Sequence, residues 1–250
     1  KDRDDNGILL KQGYGRERDW ENHFNYLLPF FLDERYIRLD EKPVFVIYKP
    51  SKIYSLWDMV DYFNKLAKKN GLPGIYVIGM EENSMFGLDG ACARQPYYAM
   101  IKSLKGSSSL NLPLVTYSYD ELWEIIHRQK KVMTPTYLCG FVDYDSSPRM
   151  GREGSVVKGT SPGKFYQNFK KLYEKSMILG NEFIFINAWN EWGEGMYLEP
   201  DEKNGYAYLE SLARAIVECK GNVYKELDEN CESEEEEERT LEQIRSRRDE

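Results

Sequence analysis

Histidine and cysteine are scarce in this chain of 250 residues, and the scarcity closes several catalytic routes. The two histidines, His23 and His127, and the four cysteines, Cys92, Cys139, Cys219 and Cys231, are far apart and include no CxxC pair. No zinc cluster with the usual ligand spacing can be built from them, and no cysteine–histidine nucleophile is indicated. The cysteines read as unpaired thiols of a reducing compartment, so a cytoplasmic location is expected. A GxGxxG turn, a P-loop and a GxSxG elbow are all missing, which argues against dinucleotide binding, P-loop phosphoryl transfer and serine-hydrolase chemistry. No apolar run reaches the roughly 18 residues of a membrane helix, and the charged opening KDRDDNG does not read as a signal peptide. Neither a resident metal nor a cofactor is expected.

Charge is unevenly placed. The net charge is -8, but residues 226–250 alone hold 12 acidic and 4 basic residues, leaving 30 of each sign in the rest. The body is therefore neutral and shows no positive excess suited to nucleic acid. Residues 225–250 read as a charged low-complexity tail, solvent-exposed and without an active-site part. What is plentiful is aromatic: 19 Tyr, 11 Phe and 5 Trp. Tyr and Trp combine a flat apolar face with a polar edge, which suits sugar rings as well as ordinary cores.

Periodicity organises residues 1–224 as one α/β domain. ILLKQGY (8–14) reads as a short strand entering a loop, and WENHFNYLLPFFLDERYI (20–37) as a helix broken by Pro29. KPVFVIYKP (42–50) has the continuous apolar run of a strand covered on both faces. SLWDMVDYFNKLAKKNG (55–71) is a helix with Ser55 and Asp58 as a capping box, and GIYVIGM (74–80) is a second strand. Residues 81–113 read as a long loop with a short helix near 95–103. A brief extended piece leads into a helix from about Tyr119, TPTYLCGFVDY (134–144) is a strand, and 145–159 is a polar loop. Ser161 caps a helix with Pro162 at its first position. NEFIFINAWNEWGEG (181–195) supplies a buried strand and a long turn, and 205–220 a closing helix. Strands near 8–12, 44–48, 75–80, 136–142 and 183–189 are too few to close an eight-stranded barrel. The expected fold is therefore the C-terminal part of a (β/α)8 TIM-type barrel whose N-terminal strands precede this chain, with an open sheet of five or six strands as the alternative.

Chemistry concentrates in FIFINAWNEWGEGMYLEPD (183–201). A strand delivers Asn187, Trp189, Asn190, Glu191, Trp192 and Glu194 to its C-terminal end, the face on which barrels place their active sites. Glu191 and Glu194, three residues apart, fall on one side of a turn, about 5–7 Å from each other. Carboxyl groups that close tend to ionise unequally, which yields the acid and the base or nucleophile that glycosidic chemistry needs. The plain alternative is a Trp-packed turn with solvated glutamates. Glu199 and Asp201 form a weaker pair suited to binding hydroxyls or capping a helix. In the loop after the strand at 136–142, Asp143, Tyr144, Asp145 and Arg149 could grip vicinal hydroxyls or a phosphate, or Asp145 and Arg149 could pair and order the loop. The DxD spacing of Asp143 and Asp145 also admits a metal-held diphosphate. Glu81, Glu82 and Asn83 follow a strand end, and Gln12, Tyr14, Tyr48 and Lys49 close earlier strands, where they could line a pocket. His23 and His127 read as packed side chains.

HFNYLLPFFLDERYIRLDEKPVFVIYKP (23–50), GFVDYDSSPR (140–149) and NAWNEWGEGMYLEPD (187–201), in that order, resemble the WbsX-like family, described as glycosyltransferases with a glycoside hydrolase family 99-like domain. The resemblance covers nearly all of 8–220. It implies a (β/α)8 barrel acting on an oligosaccharide or polysaccharide, commonly in lipopolysaccharide O-antigen or other surface polysaccharide synthesis, with peripheral association to that machinery. Related hydrolases are endo-acting α-mannosidases with paired glutamates in an NEWxE-like pattern, here Asn190 to Glu194. By that similarity Glu191 is the base that activates the neighbouring sugar 2-hydroxyl and Glu194 the general acid, with an anhydrosugar intermediate, net retention and no metal. Together the expected sugar contacts are Gln12, Tyr14, Tyr48, Glu81, Tyr144, Asp145, Arg149, Asn187, Trp189, Asn190, Trp192 and Glu199. Where the family carries WDNTPR, this chain has YDSSPR at 144–149: Asp145, Pro148 and Arg149 are kept, while Tyr144, Ser146 and Ser147 depart. Transfer and cleavage both stay open, as does an inactive glycan-binding module on the same scaffold.

Overall fold

The computed structural model describes residues 12–81, 88–103, 114–129 and 135–221. In chain order the elements are α1 (Glu17–Phe31), β1 (Arg38–Leu39), β2 (Lys42–Ile47), a 3₁₀ turn (Pro50–Lys52), α2 (Leu56–Lys69), β3 (Tyr76–Gly79), β4 (Gly90–Cys92), α3 (Tyr97–Lys102), β5 (Val115–Ser118), α4 (Tyr119–Arg128), β6 (Thr136–Tyr137) and β7 (Cys139–Phe141). Then come α5 (Ser147–Met150), a 3₁₀ turn (Gly151–Glu153), β8 (Ser155–Lys158), α6 (Pro162–Ile178), β9 (Phe185–Asn187), β10 (Asn190–Glu191), a 3₁₀ turn (Trp192–Glu194), β11 (Met196–Tyr197) and α7 (207–221). The fold is α/β. The described residues fall into two compact units, one within Lys1–Arg94 and Lys130–Tyr137, the other within Gln95–Gln129 and Leu138–Glu250.

The first unit holds a sheet in the order β1-β2-β3-β4-β6, in which β2, β3, β4 and β6 run parallel and β1 joins β2 antiparallel. The apolar spacing of α2 buries Leu56, Met59, Val60, Phe63 and Leu66 together, as its sequence requires. Phe63 meets Phe24 of α1 edge-on at 5.5 Å and Phe45 of β2 at 5.9 Å, so the unit's core is built on aromatic rings. Three expectations need correction. Helix α1 passes through Pro29 and ends two residues later; the one backbone hydrogen bond lost at Pro29 is offset by the burial of Phe24 and Phe31 on either side of it. Ser55 stands at the N-cap of α2, but its side chain accepts no cap bond. Strand β2 is not covered on both faces: Val46 is 42% exposed, and among the described residues β1 covers only the first two positions of its outer edge. The expected strand at 8–14 lies largely outside the described residues, as do Glu82, Asn83, Cys231 and the tail 225–250.

The second unit pairs β5 with β8 and β7 with β9, both parallel, and adds the antiparallel hairpin of β10 and β11. Trp123 of α4 stacks on Phe141 at 5.5 Å and 14°, with Phe165, Phe169 and Leu172 of α6 in the same core. Gly140 packs closely beneath them: a Cβ there would sit 3.0 Å from the Trp123 ring and 3.3 Å from Leu172, tighter than ordinary contact. Ser161 caps α6 through the Lys164 amide at 3.3 Å, with Pro162 at the first position, as expected. The supposed loop 145–159 contains α5 and β8, and the strand read at 134–144 is split at Leu138 into β6 and β7. β9 is only half-buried rather than a buried strand.

Just beyond β7, Asp143 carries a largely enclosed carboxyl. Its Oδ1 accepts the Thr160 hydroxyl at 2.8 Å and the Tyr144 amide at 2.8 Å. Burial pushes this carboxyl above its ordinary value, outweighing those hydrogen bonds.

Two predictions follow from these local geometries. Asp40 and Glu41 form the two-residue connection between β1 and β2 with φ of 48° and 62°, a left-handed geometry that glycine adopts freely. Glu41→Gly is expected to raise stability by about 0.5–1 kcal/mol in urea unfolding; an unchanged or lower midpoint contradicts the turn. For Asp143, a carboxyl raised in the folded state favours the fold while protonated, fully below its unfolded value, and loses that contribution as pH rises through the folded one. Asp143→Asn keeps both acceptor bonds without the buried charge. It should melt above the wild type at pH 7, with the gap narrowing as pH falls through the raised value.

Candidate active site

Parallel register brings the site's two loops to one sheet edge. Strands β7 and β9 are paired from Cys139↔Phe185 to Phe141↔Asn187, so the segment 142–149 and the segment 188–195 leave the same end. There they lock. The Asp145 amide donates to the Glu194 carbonyl at 2.7 Å. Gly195 follows in the left-handed region with φ 56°, and a Cβ on it would lie 3.2 Å from both N and Cβ of Asp145. Across this seam Nη2 of Arg149 donates to Oε1 of Glu194, an ion pair in which Glu194 is mostly covered and Arg149 more than half exposed. The Asp145–Arg149 pair weighed from the sequence is not formed. Asp145 instead accepts the Ser147 amide at 2.8 Å and so starts α5. Tyr144 is half-buried against the core, its carbonyl accepting the Val157 amide at 2.8 Å.

Glu191 closes β10 and heads the 3₁₀ turn Trp192–Glu194, with its side chain exposed. Its Oε1 turns back to within 3.6 Å of where a Cβ on Gly193 would stand. Glu191 precedes the turn with non-helical backbone, φ -81° and ψ 68°, and Glu194 is the turn's last residue. The hairpin is closed by Asn190↔Tyr197 and Glu191↔Met196, and the Trp189 carbonyl accepts both the Leu198 and Glu199 amides at 2.9 Å. Trp189 and Trp192 stay about half exposed, at 53% and 49%. Trp192 stacks on Tyr197 with centroids 3.8 Å apart and 19° between planes, and its indole N–H donates to Oε2 of Glu199 at 2.7 Å.

Beyond the hairpin, the Tyr197 hydroxyl donates to Oδ2 of Asp201 at 2.9 Å. Burial, then that hydrogen bond, pushes the Tyr197 phenol up to about 12. Burial pulls the Asp201 carboxyl upward, but bonds from Asn204 and Tyr197 outweigh it and hold it below its usual range. Asn187 uses its amide to donate to the Gln95 carbonyl at 2.6 Å. Asp143 accepts from Thr160 beyond β8 and Asp145 from Ser147 in its own loop, and among the described residues no three His, Cys, Asp or Glu side chains converge as a metal site.

The other expected contacts belong to the first unit. Gln12, Tyr14 and Tyr48 line a cavity of about 590 Å3 that also touches Trp20, His23 and Val46. The Tyr14 carbonyl accepts the Trp20 indole N–H at 2.6 Å, and Gln12 donates to the Gly13 carbonyl. Tyr48 is 54% exposed and carries the Arg94 guanidinium 4.3 Å from its ring centre, with Lys49 at 5.4 Å. Glu81 accepts both the amide and the hydroxyl of Ser51, at 2.9 and 2.7 Å. His23 lies edge-on to Phe45 and Phe63, and His127 shares a hydrogen bond with Asn168 at 3.2 Å.

Sequence reading missed Tyr197 and Arg94. Tyr197 had a signal: in a two-residue-period hairpin it faces Asn190 and follows the turn by three residues. Arg94 had none, since its proximity to Tyr48 arises from β4 and β2 flanking β3 in one sheet.

Comparison with other proteins sets this geometry in a family. Residues 1–212 match the family model described as Glycosyltransferase WbsX. Two relatives called "Uncharacterized protein WxcX", from Xanthomonas campestris pv. campestris strains ATCC 33913 and B100, are 25% and 24% identical over 223 residues. Each alignment covers 84% of this chain and 32% of the relative, so the chain spans about a third of their length. A solved "Glycoside hydrolase-like protein" superposes with a TM-score of 0.51 at 12% identity, over 79% of this chain and 60% of that one. The GH99 endo-alpha-mannosidase from Bacteroides thetaiotaomicron, in complex with bis-tris-propane, gives a TM-score of 0.51 at 17% identity, over 85% and 68%. At such identities these structures share a fold with this chain and nothing finer. The family match extends over most of the sequence and includes the turn and both of its flanking loops: the chain belongs to the WbsX glycosyltransferase family.

Proposed function

We propose that this chain carries the catalytic turn of a glycan-active enzyme, with Glu191 and Glu194 as its acid–base pair at the C-terminal end of a (β/α)8-type barrel of which the chain supplies the later strands. The observation that carries the proposal is the 3₁₀ turn itself. It puts Glu191 at its head and Glu194 at its end, with Trp189 and Trp192 half exposed next to Glu191 along the chain, and it is braced from the neighbouring loop by Arg149. Arg149 holds one oxygen of Glu194 and so fixes where that carboxyl sits, with the other oxygen left for a glycosidic oxygen. Glu191, exposed and at the head of the turn, is placed for the base that draws a proton from a sugar hydroxyl. Asn190 and the two indoles supply amide and apolar contacts to the sugar. In this scheme Glu191 takes the proton of the 2-hydroxyl as that oxygen attacks the anomeric carbon, and Glu194 gives its proton to the leaving oxygen. Water or an acceptor hydroxyl then opens the anhydrosugar.

The substrate is an oligosaccharide or polysaccharide, α-mannosidic linkages being the first to try, and the setting surface-polysaccharide or O-antigen metabolism at the cytoplasmic side, with peripheral attachment to that machinery. The second reading is a glycan-binding module. Asn187 and Glu199, both expected sugar contacts, have their side chains engaged by Gln95 and Trp192, which favours a scaffold part for them under either reading.

Turnover of a defined set of α-mannosides should fall roughly 10²- to 10⁴-fold in Glu191→Gln and in Glu194→Gln, with binding retained. Unchanged turnover in both variants removes the acid–base assignment, while binding without turnover in the wild type selects the module. The turn has its own test. Gly195→Ala should cost roughly 1–2 kcal/mol in urea unfolding, whereas Gly193→Ala, which meets only Glu191 Oε1 at 3.6 Å, should leave the midpoint nearly unchanged.

A further inference from the structure

We infer that Glu199 and Asp201 are positioning residues: they hold the Trp192–Tyr197 pair as a fixed aromatic platform for a sugar ring. The inference rests on the glycan reading of the site and reassigns Glu199, which the sequence suggests as a sugar contact.

The platform is fastened at each of its rings. Tyr197 covers one face of the Trp192 indole at 3.8 Å, yet Trp192 remains 49% exposed, so the stack leaves indole surface open to solvent. In the plane of the ring, the Nε1–H bond to Glu199 at 2.7 Å fixes rotation about the side chain's last torsion. Tyr197 is held by its hydroxyl on Asp201 at 2.9 Å. Asp201 is held in turn by Asn204, whose amide N–H reaches Oδ1 and whose side chain reaches Oδ2 at 2.9 Å. The anchors lie just beyond the hairpin: the Glu199 amide is tied at 2.9 Å to the carbonyl of Trp189, the other half-exposed indole.

The physical advantage is pre-organisation. A sugar laid on an aromatic face gains from contact with its C–H groups, and the gain shrinks if the ring must be immobilised at the moment of binding. A tryptophan already stacked and hydrogen-bonded has lost that freedom on folding. It also keeps the platform in register with Glu191, its immediate neighbour in the chain. Glu199 therefore acts through Trp192, and its charge is not required at the sugar. An accepting oxygen is enough.

The test is a double-mutant cycle on Trp192 and Glu199 read by calorimetric binding of α-linked manno-oligosaccharides in the Glu191→Gln background, where turnover does not interfere. Glu199→Ala should weaken binding roughly three- to tenfold, the cost of freeing one side chain, and Glu199→Gln should stay near the parent. With Trp192→Phe, which keeps a ring but has no N–H, Glu199→Ala should have no further effect. Additive losses, or Glu199→Gln as weak as Glu199→Ala, make Glu199 a direct sugar ligand and overturn the inference. A second readout needs no ligand. The near-ultraviolet circular dichroism assigned to Trp192 by difference from Trp192→Phe should collapse in Glu199→Ala and persist in Glu199→Gln, with thermal melting confirming that both are folded. Persistence in Glu199→Ala also overturns the clamp. If the dichroism behaves as expected while no oligosaccharide binds any variant, the glycan reading fails and the platform falls with it. If binding follows the cycle while Glu191→Gln and Glu194→Gln turn over normally, only the acid–base assignment fails.

Discussion

One backbone contact sets the geometry of the second unit's site: the Asp145 amide on the Glu194 carbonyl, with Gly195 pressed against Asp145 in a left-handed conformation. The loops it joins follow strands paired across 46 positions of sequence, Cys139 with Phe185. Parallel pairing of β7 and β9 delivers them to one edge but does not fix their relative height. The amide bond does, and the left-handed glycine allows it to form by removing the Cβ that would keep the two backbones apart. With that height fixed, Arg149 reaches Glu194 across the seam. The ion pair is a consequence of the backbone contact, since an exposed guanidinium on a flexible stem contributes little by itself.

The seam also explains the division of labour among the acids. Asp145 is committed to the Ser147 amide, where it starts α5 and keeps Arg149 one turn further on. Asp143, two residues earlier, is enclosed and bound to Thr160. Glu194 takes the guanidinium, Glu199 the indole, Asp201 the phenol. Among these carboxylates Glu191 is the exposed one at the head of the turn. The residues around it are mostly occupied in holding the turn still, and such support is what a pair of reacting groups needs if its geometry is to be present before substrate arrives.

Helical periodicity made much of this fold legible. α2, α4 and α6 bury the residues their spacing selects, and Ser161 with Pro162 marks the start of α6 correctly, because capping chemistry is local. Strands were harder. β4 and β8 are three and four residues long, too short for alternation to separate them from loop, and β8 sits inside a segment whose polar, glycine-rich composition argues for loop throughout. Ser55 misled because a capping residue type does not guarantee the bond. Of the site, the turn was visible as a dense cluster of Asn, Trp and Glu after an apolar strand. Its partners were not. Asp145 with Arg149 is the pair that spacing suggests, and Arg149 with Glu194 is the pair that forms, because tertiary register outranks proximity along the chain.

The same logic bears on the departures at 144–149. Ser146, where the family carries Asn, is buried and exchanges hydrogen bonds with Ser155: its hydroxyl accepts the Ser155 amide at 2.9 Å and donates to the carbonyl at 3.3 Å. A hydroxyl suffices for this loop-to-β8 tie, so the change leaves the lock intact. Tyr144, where the family carries Trp, rests against the unit's core and contributes its carbonyl to Val157. Two of the three departures fall on positions that connect the loop to β8, and the third, Ser147, begins α5, where it gives its backbone amide to Asp145. The Asp145 bond to Ser147 uses only the backbone amide, so the side chain at 147 does not enter the contact that starts α5.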